Sequence, residues 1–237
     1  MSYISALFLI GFTILFHELG HFLAARIVKI PIKTFSVGFG PALWKKQLGK
    51  TEYRISLIPM GGYILPDIED ENQFFKIPIT KRIIMTAGGP IASALLPAFC
   101  LATISWYTVG FSFIGILINP FLKTWFLAHQ MIASIPLLFS NPEHLSGIVG
   151  IVAQGGTFVG SSPIRAMQFV AMMSMNLCIM NILPIPALDG GKILLFMSEK
   201  IHPSFVRLHL PLSIAGWVLI MGLTVYTVVM DVLKFAV

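Results

Sequence analysis

Two histidines and a glutamate stand at metal-site spacing inside a stretch of chain that is otherwise apolar. His17-Glu18-Leu19-Gly20-His21 falls within Ile4–Val28, where the next charged residue is Arg26. On an α-helix the two imidazoles lie about 40° apart around the axis and about 6 Å apart along it, so both reach one ion from the same face. Glu18 lies about 100° from His17, beside that face. There it can take a proton from a water that the metal activates, without filling a coordination position. In lipid the cluster says more. An acidic or basic side chain at mid-membrane costs roughly 2.5–3.5 kcal/mol on insertion scales and is usually kept for a function. A metal ion is the obvious group to offset that cost.

A catalytic zinc site needs three protein ligands and one open position. Asp189 is the best candidate for the third, within Asn181-Ile182-Leu183-Pro184-Ile185-Pro186-Ala187-Leu188-Asp189-Gly190-Gly191. Pro184, Pro186 and the two glycines predict a broken helix end there. Glu143, Glu199 and Asp231 lie in loops or near span ends on less suitable sides. His129, His144, His202 and His209 read as surface or interfacial residues, and the methionines between Met167 and Met180 as packing rather than copper ligands. Cys100 and Cys178 read as small packing residues, with neither a disulfide framework nor a CxxC pattern. Asn176 and Asn181 could glue helices together or hold substrate backbone, and their nearness to Asp189 favours the second reading.

The elements that must position these groups are spanning helices. The 237 residues are 56% hydrophobic and only 11% charged, against about 25% charged in soluble domains, and the mean hydropathy is +0.86. This is the composition of an all-α polytopic membrane protein. Four segments have the length and apolarity of spans, roughly 4–28, 83–109, 166–187 and 212–235. The first has no basic leader or small-residue cleavage site and reads as a retained span.

Charge sets the orientation. Ten of the sixteen Lys and Arg residues fall between Arg26 and Arg82, which positive-inside bias explains better than a nucleic-acid patch. With that loop in the cytosol, the N-terminus is outside, and Lys192, Lys200 and Arg207 also fall on the cytosolic side. His17 then lies about 20 Å along the first helix, in the cytosolic half of a ~30 Å core. Asp189 reaches a similar level from a span running the other way.

Between the first two spans, residues 32–65 alternate short extended runs with Gly and Pro, which predicts a small membrane-associated β-sheet beside the first helix. A short surface helix should follow before the second span. Residues 121–139 are apolar but interrupted, and an external helix lying on the membrane surface fits the charge pattern better than the alternative of a fifth and sixth span.

Taken together, these segments resemble the site-2 protease family of intramembrane zinc metalloproteases, most closely its bacterial regulator-of-sigma-E branch. His17-Glu18-Leu19-Gly20-His21 is similar to the family's first-span motif, and Asn181 to Gly190 to its NxxPxPxxDG motif. Met60-Gly61-Gly62-Tyr63 resembles its re-entrant β-hairpin, and Ala87-Gly88-Gly89-Pro90 the start of its second span.

The resemblance implies one Zn2+ held by His17, His21 and Asp189, with Glu18 as general base and acid. It implies that Asn181, Asn176, Gly61, Gly62, Pro184 and Pro186 bind substrate, with the β edge pairing to it as an added strand. Members of that branch carry PDZ domains between the second and third spans, where this chain has about 57 residues, so a single protease domain without PDZ or CBS domains is expected. Ser146-Gly147-Ile148 also departs from the family's Ser-Gly-Pro.

The function expected is an intramembrane zinc endopeptidase of a bacterial inner membrane. It would cut single-pass transmembrane proteins or peptides, in regulated intramembrane proteolysis or signal-peptide remnant clearance. Its partners would be those substrates and membrane lipid, with no nucleic acid. A metal-ion transporter and a non-catalytic scaffold are the alternatives.

Overall fold

The computed structural model describes residues 2–68, 71–140 and 146–235. In chain order it has α1 (Ser2–Ile27), β1 (Ile32–Leu48), β2 (Thr51–Pro66), α2 (Glu71–Lys76) and α3 (Ile79–Val109). A π-helical turn (Ile114–Ile118) leads into α4 (Asn119–Ser140), then α5 (Ile148–Val159) and α6 (Pro163–Ile182). The chain closes with α7 (Asp189–Ile201), a 3₁₀ turn (Pro203–Leu208) and α8 (His209–Phe235). It is a helical membrane protein with a small sheet after its first helix, as composition predicts.

The helix pair that carries the site packs through small residues. Lipid tails are as apolar as leucine, so helices in a bilayer associate by close van der Waals fit rather than by hydrophobic burial. A Cβ built on Gly20 would lie 2.3 Å from the Gly88 carbonyl oxygen and 2.5 Å from Ala92 Cβ. One on Gly88 would lie 2.4 Å from Gly20 O and 2.6 Å from Ala24 Cβ. Two small-xxx-small pairs, Gly20/Ala24 and Gly88/Ala92, thus bring α1 and α3 into backbone contact beside His21.

The four short extended runs expected between these helices merge into two long strands. β1 and β2 form a two-stranded sheet, closed by Gly49 at φ +63° between Leu48 and Thr51. Gly38 and Gly40, at φ +86° and +84°, let β1 bend. Thr34–Val37 consequently faces two runs of β2, Gly62–Leu65 with rungs in opposite sense and Glu52–Ile55 with rungs ascending together. A buried cluster of Phe22, Ala25, Ile30, Ile32 and Phe35 holds this sheet against the last turns of α1. The rings of Phe22, Phe35 and Tyr53 meet there at centroid distances of 5.1–6.1 Å.

Among the described residues, three helical runs are long and apolar enough to cross a membrane: Tyr3–Ile27, Ile79–Val109 and Ser204–Lys234. The expected third span, 166–187, is different. Helix α6 stops at Ile182, because a residue before proline is pushed out of the α region, and Leu183 before Pro184 is extended at φ −57°, ψ 147°. Arg165, Gln168, Asn176 and Asn181 also dilute its hydropathy. That composition is tolerable because α6 is a central helix, with Phe169, Val170, Ala171, Ser174, Met175, Cys178 and Ile179 buried. Asp189 therefore does not end the third span but begins a new helix, α7.

Residues 121–139, expected on the membrane surface, fall within α4, and part of their apolar stretch packs on protein. Leu127, Ala128, Met131 and Ile135 pack against Met175, Cys178 and Ile179 of α6. Helix α8 is the most peripheral span, with only 11% of its most apolar window buried.

Candidate metal centre

His17 and His21 project from α1 and Asp189 from the first turn of α7, and their ligand atoms converge. His17 Nε2 and His21 Nε2 are 3.1 Å apart, and each lies 3.2 Å from Asp189 Oδ2. Donors about 2.0–2.1 Å from one tetrahedral centre stand roughly 3.3 Å from each other. Two imidazole nitrogens and a carboxylate oxygen at this spacing fit zinc in both geometry and donor type. Among the described residues, this is the one cluster of His, Cys, Asp and Glu with metal-ligand geometry.

The local sequence explains how a carboxylate reaches α1 from residue 189. After the α6 break, Ile185 N–H donates to Leu183 O and Leu188 N–H to Ile185 O, giving a tight irregular passage. Gly190 and Gly191 then pass so close to it that a Cβ would lie 2.0 Å from Ile182 O and 2.1 Å from Ile185 O respectively. Only glycine lets α7 start there. Asp189 sits in that helix's first turn, where the helix dipole favours a negative charge. Its second oxygen, Oδ1, faces the Lys192 ammonium at 3.6 Å.

Helix α3 backs both histidines. His21 Nδ1 lies 3.0 Å from the Met85 carbonyl, and His17 Nδ1 lies 2.9 Å from Ser93 Oγ. Between them Gly89 forms a wall without a side chain, since a Cβ there would meet His21 Nε2 at 2.3 Å and His17 Nε2 at 2.7 Å.

Glu18, half-buried, turns from the ligands toward the sheet. A Cβ on Gly62 would lie 3.2 Å from Glu18 Cγ and 2.7 Å from Ser36 O, so glycine is needed where β2 crosses the glutamate. Gly61 lies in the same strand, but its surroundings are outside the described residues.

The other substrate candidates stand apart from the ligands' own bonds. Asn181 donates to the Leu177 carbonyl one turn earlier within α6 at 2.9 Å. Asn176 and Pro184 are exposed, and Pro186 is partly buried.

Residues set aside by position have partners of their own. Arg82 is fully buried and pairs bidentately with Glu199 at 2.9 and 2.6 Å. His209 Nε2 lies 2.6 Å from Glu199 Oε1, so His209 is a buried member of a cluster and not the interfacial residue its sequence position implies. The Arg82 guanidinium also sits over the rings of Phe74, Phe75 and Phe196, at 4.7–5.6 Å. Asp231, equally buried, accepts from Gly150 N–H at 2.8 Å and caps the start of α5 from α8. His129 and His202 are exposed, and Glu143 and His144 lie outside the described residues.

The ligand geometry has a counterpart at the level of the whole sequence. The profile of peptidase family M50 matches residues 5–223. This chain is a member of the M50 family, the site-2 proteases. A "Putative zinc metalloprotease" of Synechocystis is 26% identical over an alignment covering 99% of the M50 chain and 96% of that relative. That alignment has 351 positions, so the relative carries residues with no counterpart here. A Nostoc protein of the same description is 30% identical, covering 81% of the M50 chain and 57% of its own length. A third, from Chlamydia trachomatis, is 40% identical over 41% of the chain. The M50 chain spans only 18% of that third relative's length.

The sequence located the three convergent residues and the glutamate. It missed Ser93 and the Met85 carbonyl, and showed Gly89 only within the motif at the start of the second span. Positions 85, 89 and 93 recur every four residues, on one face of α3.

Proposed function

We propose that this protein is an intramembrane zinc endopeptidase that hydrolyses peptide bonds of single-pass transmembrane substrates. The observation that carries this reading is the convergence of His17, His21 and Asp189 within 3.2 Å of one another, with a non-ligand carboxylate next to the first of them. Zinc, when bound there, supplies the Lewis acidity that activates water and polarises a scissile carbonyl.

The chain's own residues do the rest. Glu18 takes the proton from the attacking water and delivers it to the leaving amine. Lys192, paired with Oδ1 of Asp189, leaves Oδ2 as the ligating atom. A transmembrane helix hides its own peptide bonds, so a substrate must unwind locally, and β2 beside Gly62 offers backbone groups with which the unwound strand pairs. Pro184 and Pro186 lie on the broken segment that would border this strand, and Asn176 and Asn181 on the last turns of α6 before it.

The stretch from Arg26 to Arg82, with ten of the sixteen Lys and Arg residues, supports an N-terminus outside and a site in the cytosolic half of a bacterial inner membrane. An ion carrier has no need of a general base such as Glu18.

Replacing Glu18 with Gln removes the base and keeps the ligands. The purified Glu18→Gln protein is expected to retain one zinc per chain and lose cleavage of a model transmembrane substrate. Cleavage by that variant at the wild-type rate sinks the assignment.

A further inference from the structure

Helix α3 presents three different groups to the two histidines along one stripe: a carbonyl at Met85, a bare backbone at Gly89 and a hydroxyl at Ser93. His21 Nδ1 meets both the Met85 carbonyl at 3.0 Å, which can only accept, and the Gly89 N–H at 3.2 Å, which can only donate, so that ring is held from two sides with Nε2 facing the site. His17 has no such carbonyl. Its Nδ1 meets Ser93 Oγ at 2.9 Å, and Ser93 is fully buried, away from any competing water.

Ser93 is itself held in place. Ser174, also fully buried, donates from Oγ to the Ser93 carbonyl at 2.8 Å. That bond ties α6 to the turn of α3 that faces His17. In hydrocarbon such a hydroxyl has few other partners, so its position is set by these contacts.

We propose that Ser93 is a positioning residue of the metal centre. It accepts the Nδ1 proton of His17 and so holds that ring in the tautomer and orientation that leave Nε2 free to ligate. The inference rests on the zinc reading above, and it adds a residue that touches neither metal nor substrate. Partners of this kind typically alter metal affinity about 10–100-fold when removed.

The test uses the full chain, purified in nanodiscs, with zinc affinity measured by competition against a chromophoric chelator. Ser93→Ala is expected to weaken zinc binding about 10–100-fold, Ser93→Thr to restore most of it, and Ser174→Ala to change it far less. A second measurement needs no variant: NMR of ¹⁵N-labelled histidine in the zinc-loaded wild-type protein is expected to show the His17 Nδ1 proton shifted downfield as a hydrogen-bonded one. Wild-type zinc binding with equal affinity in Ser93→Ala overturns the role of Ser93 and leaves the metal reading standing. A His17 Nδ1 proton without that shift in the zinc-loaded wild type overturns it as well, even where Ser93→Ala fails to fold. Failure of the wild type to bind zinc defeats the metal reading itself.

Discussion

Helix α7 sends a carboxylate into each of two buried polar clusters, and the clusters differ in one respect. At its first turn Asp189 meets His17 and His21, and the fixed positive charge nearby is Lys192, at 3.6 Å from the oxygen that faces away from the histidines. In its last turns Glu199 meets His209 and the guanidinium of Arg82, which occupies both carboxylate oxygens. The second cluster carries its own cation and is electrically complete. The first presents three ligand atoms around one point and calls for a cation from solution. Two sets of His and carboxylate, both backed by α3, are thus divided between holding the fold and holding a metal. The deciding residue is an arginine.

The largest effect should come from breaking the first cluster. His17→Ala or Asp189→Ala is expected to abolish stoichiometric zinc, read by atomic absorption on the purified protein, while the fold persists. Zinc at a thousand times its dissociation constant should add about 4 kcal/mol of stability to the wild type and nothing to these variants. If the ligand variants kept full zinc, the distinction between the clusters would collapse.

Breaking the second cluster should act on stability instead. Arg82→Ala leaves Glu199 buried without its main partner, a change that costs about 3–5 kcal/mol. The double variant Arg82→Met, Glu199→Leu removes both charges and is expected to recover most of that loss in thermal unfolding. A double variant no better than the single one would mean that the pair does more than neutralise itself.

The smallest effect belongs to Asp231. It caps α5 across the helix boundary, and losing a cap costs about 0.5–2 kcal/mol. Asp231→Asn, which keeps an acceptor, should lose less than Asp231→Ala in the same unfolding assay. Equal losses would show that the charge rather than the hydrogen bond is what α5 uses.

These clusters also mark how far the sequence could be read. His17 and His21 were legible because their spacing encodes one helix face, Glu18 because it lies beside that face, and Asp189 because Pro184 and Pro186 announce a break where a carboxylate can be presented. The sheet was legible from its glycines. The end of the third span was not, since Ile185, Ala187 and Leu188 keep the composition apolar through the break and only the proline sterics stop the helix at Ile182. Arg82 reads in sequence as one more cytosolic positive charge. Its partner lies 117 residues away, and no local pattern links them. Ser93 and Gly89 are small residues in an apolar run, and the carbonyl of Met85 belongs to the backbone, which has no residue signature at all.

The contact between Gly20 and Gly88 has a mechanical consequence. Side chains between helices act as a compressible layer that lets one helix slide or roll on the other. Where backbone meets backbone that layer is gone, and α1 and α3 must respond to the bilayer as one stiff body. A thicker or thinner membrane would tilt this pair as a unit and change the depth at which His17 and His21 sit. The spacing between the histidines and the stripe of α3 behind them would stay the same. On the proposed peptidase reading, lipid composition would therefore tune which peptide bond of a substrate arrives at the site, and leave the site's own geometry alone.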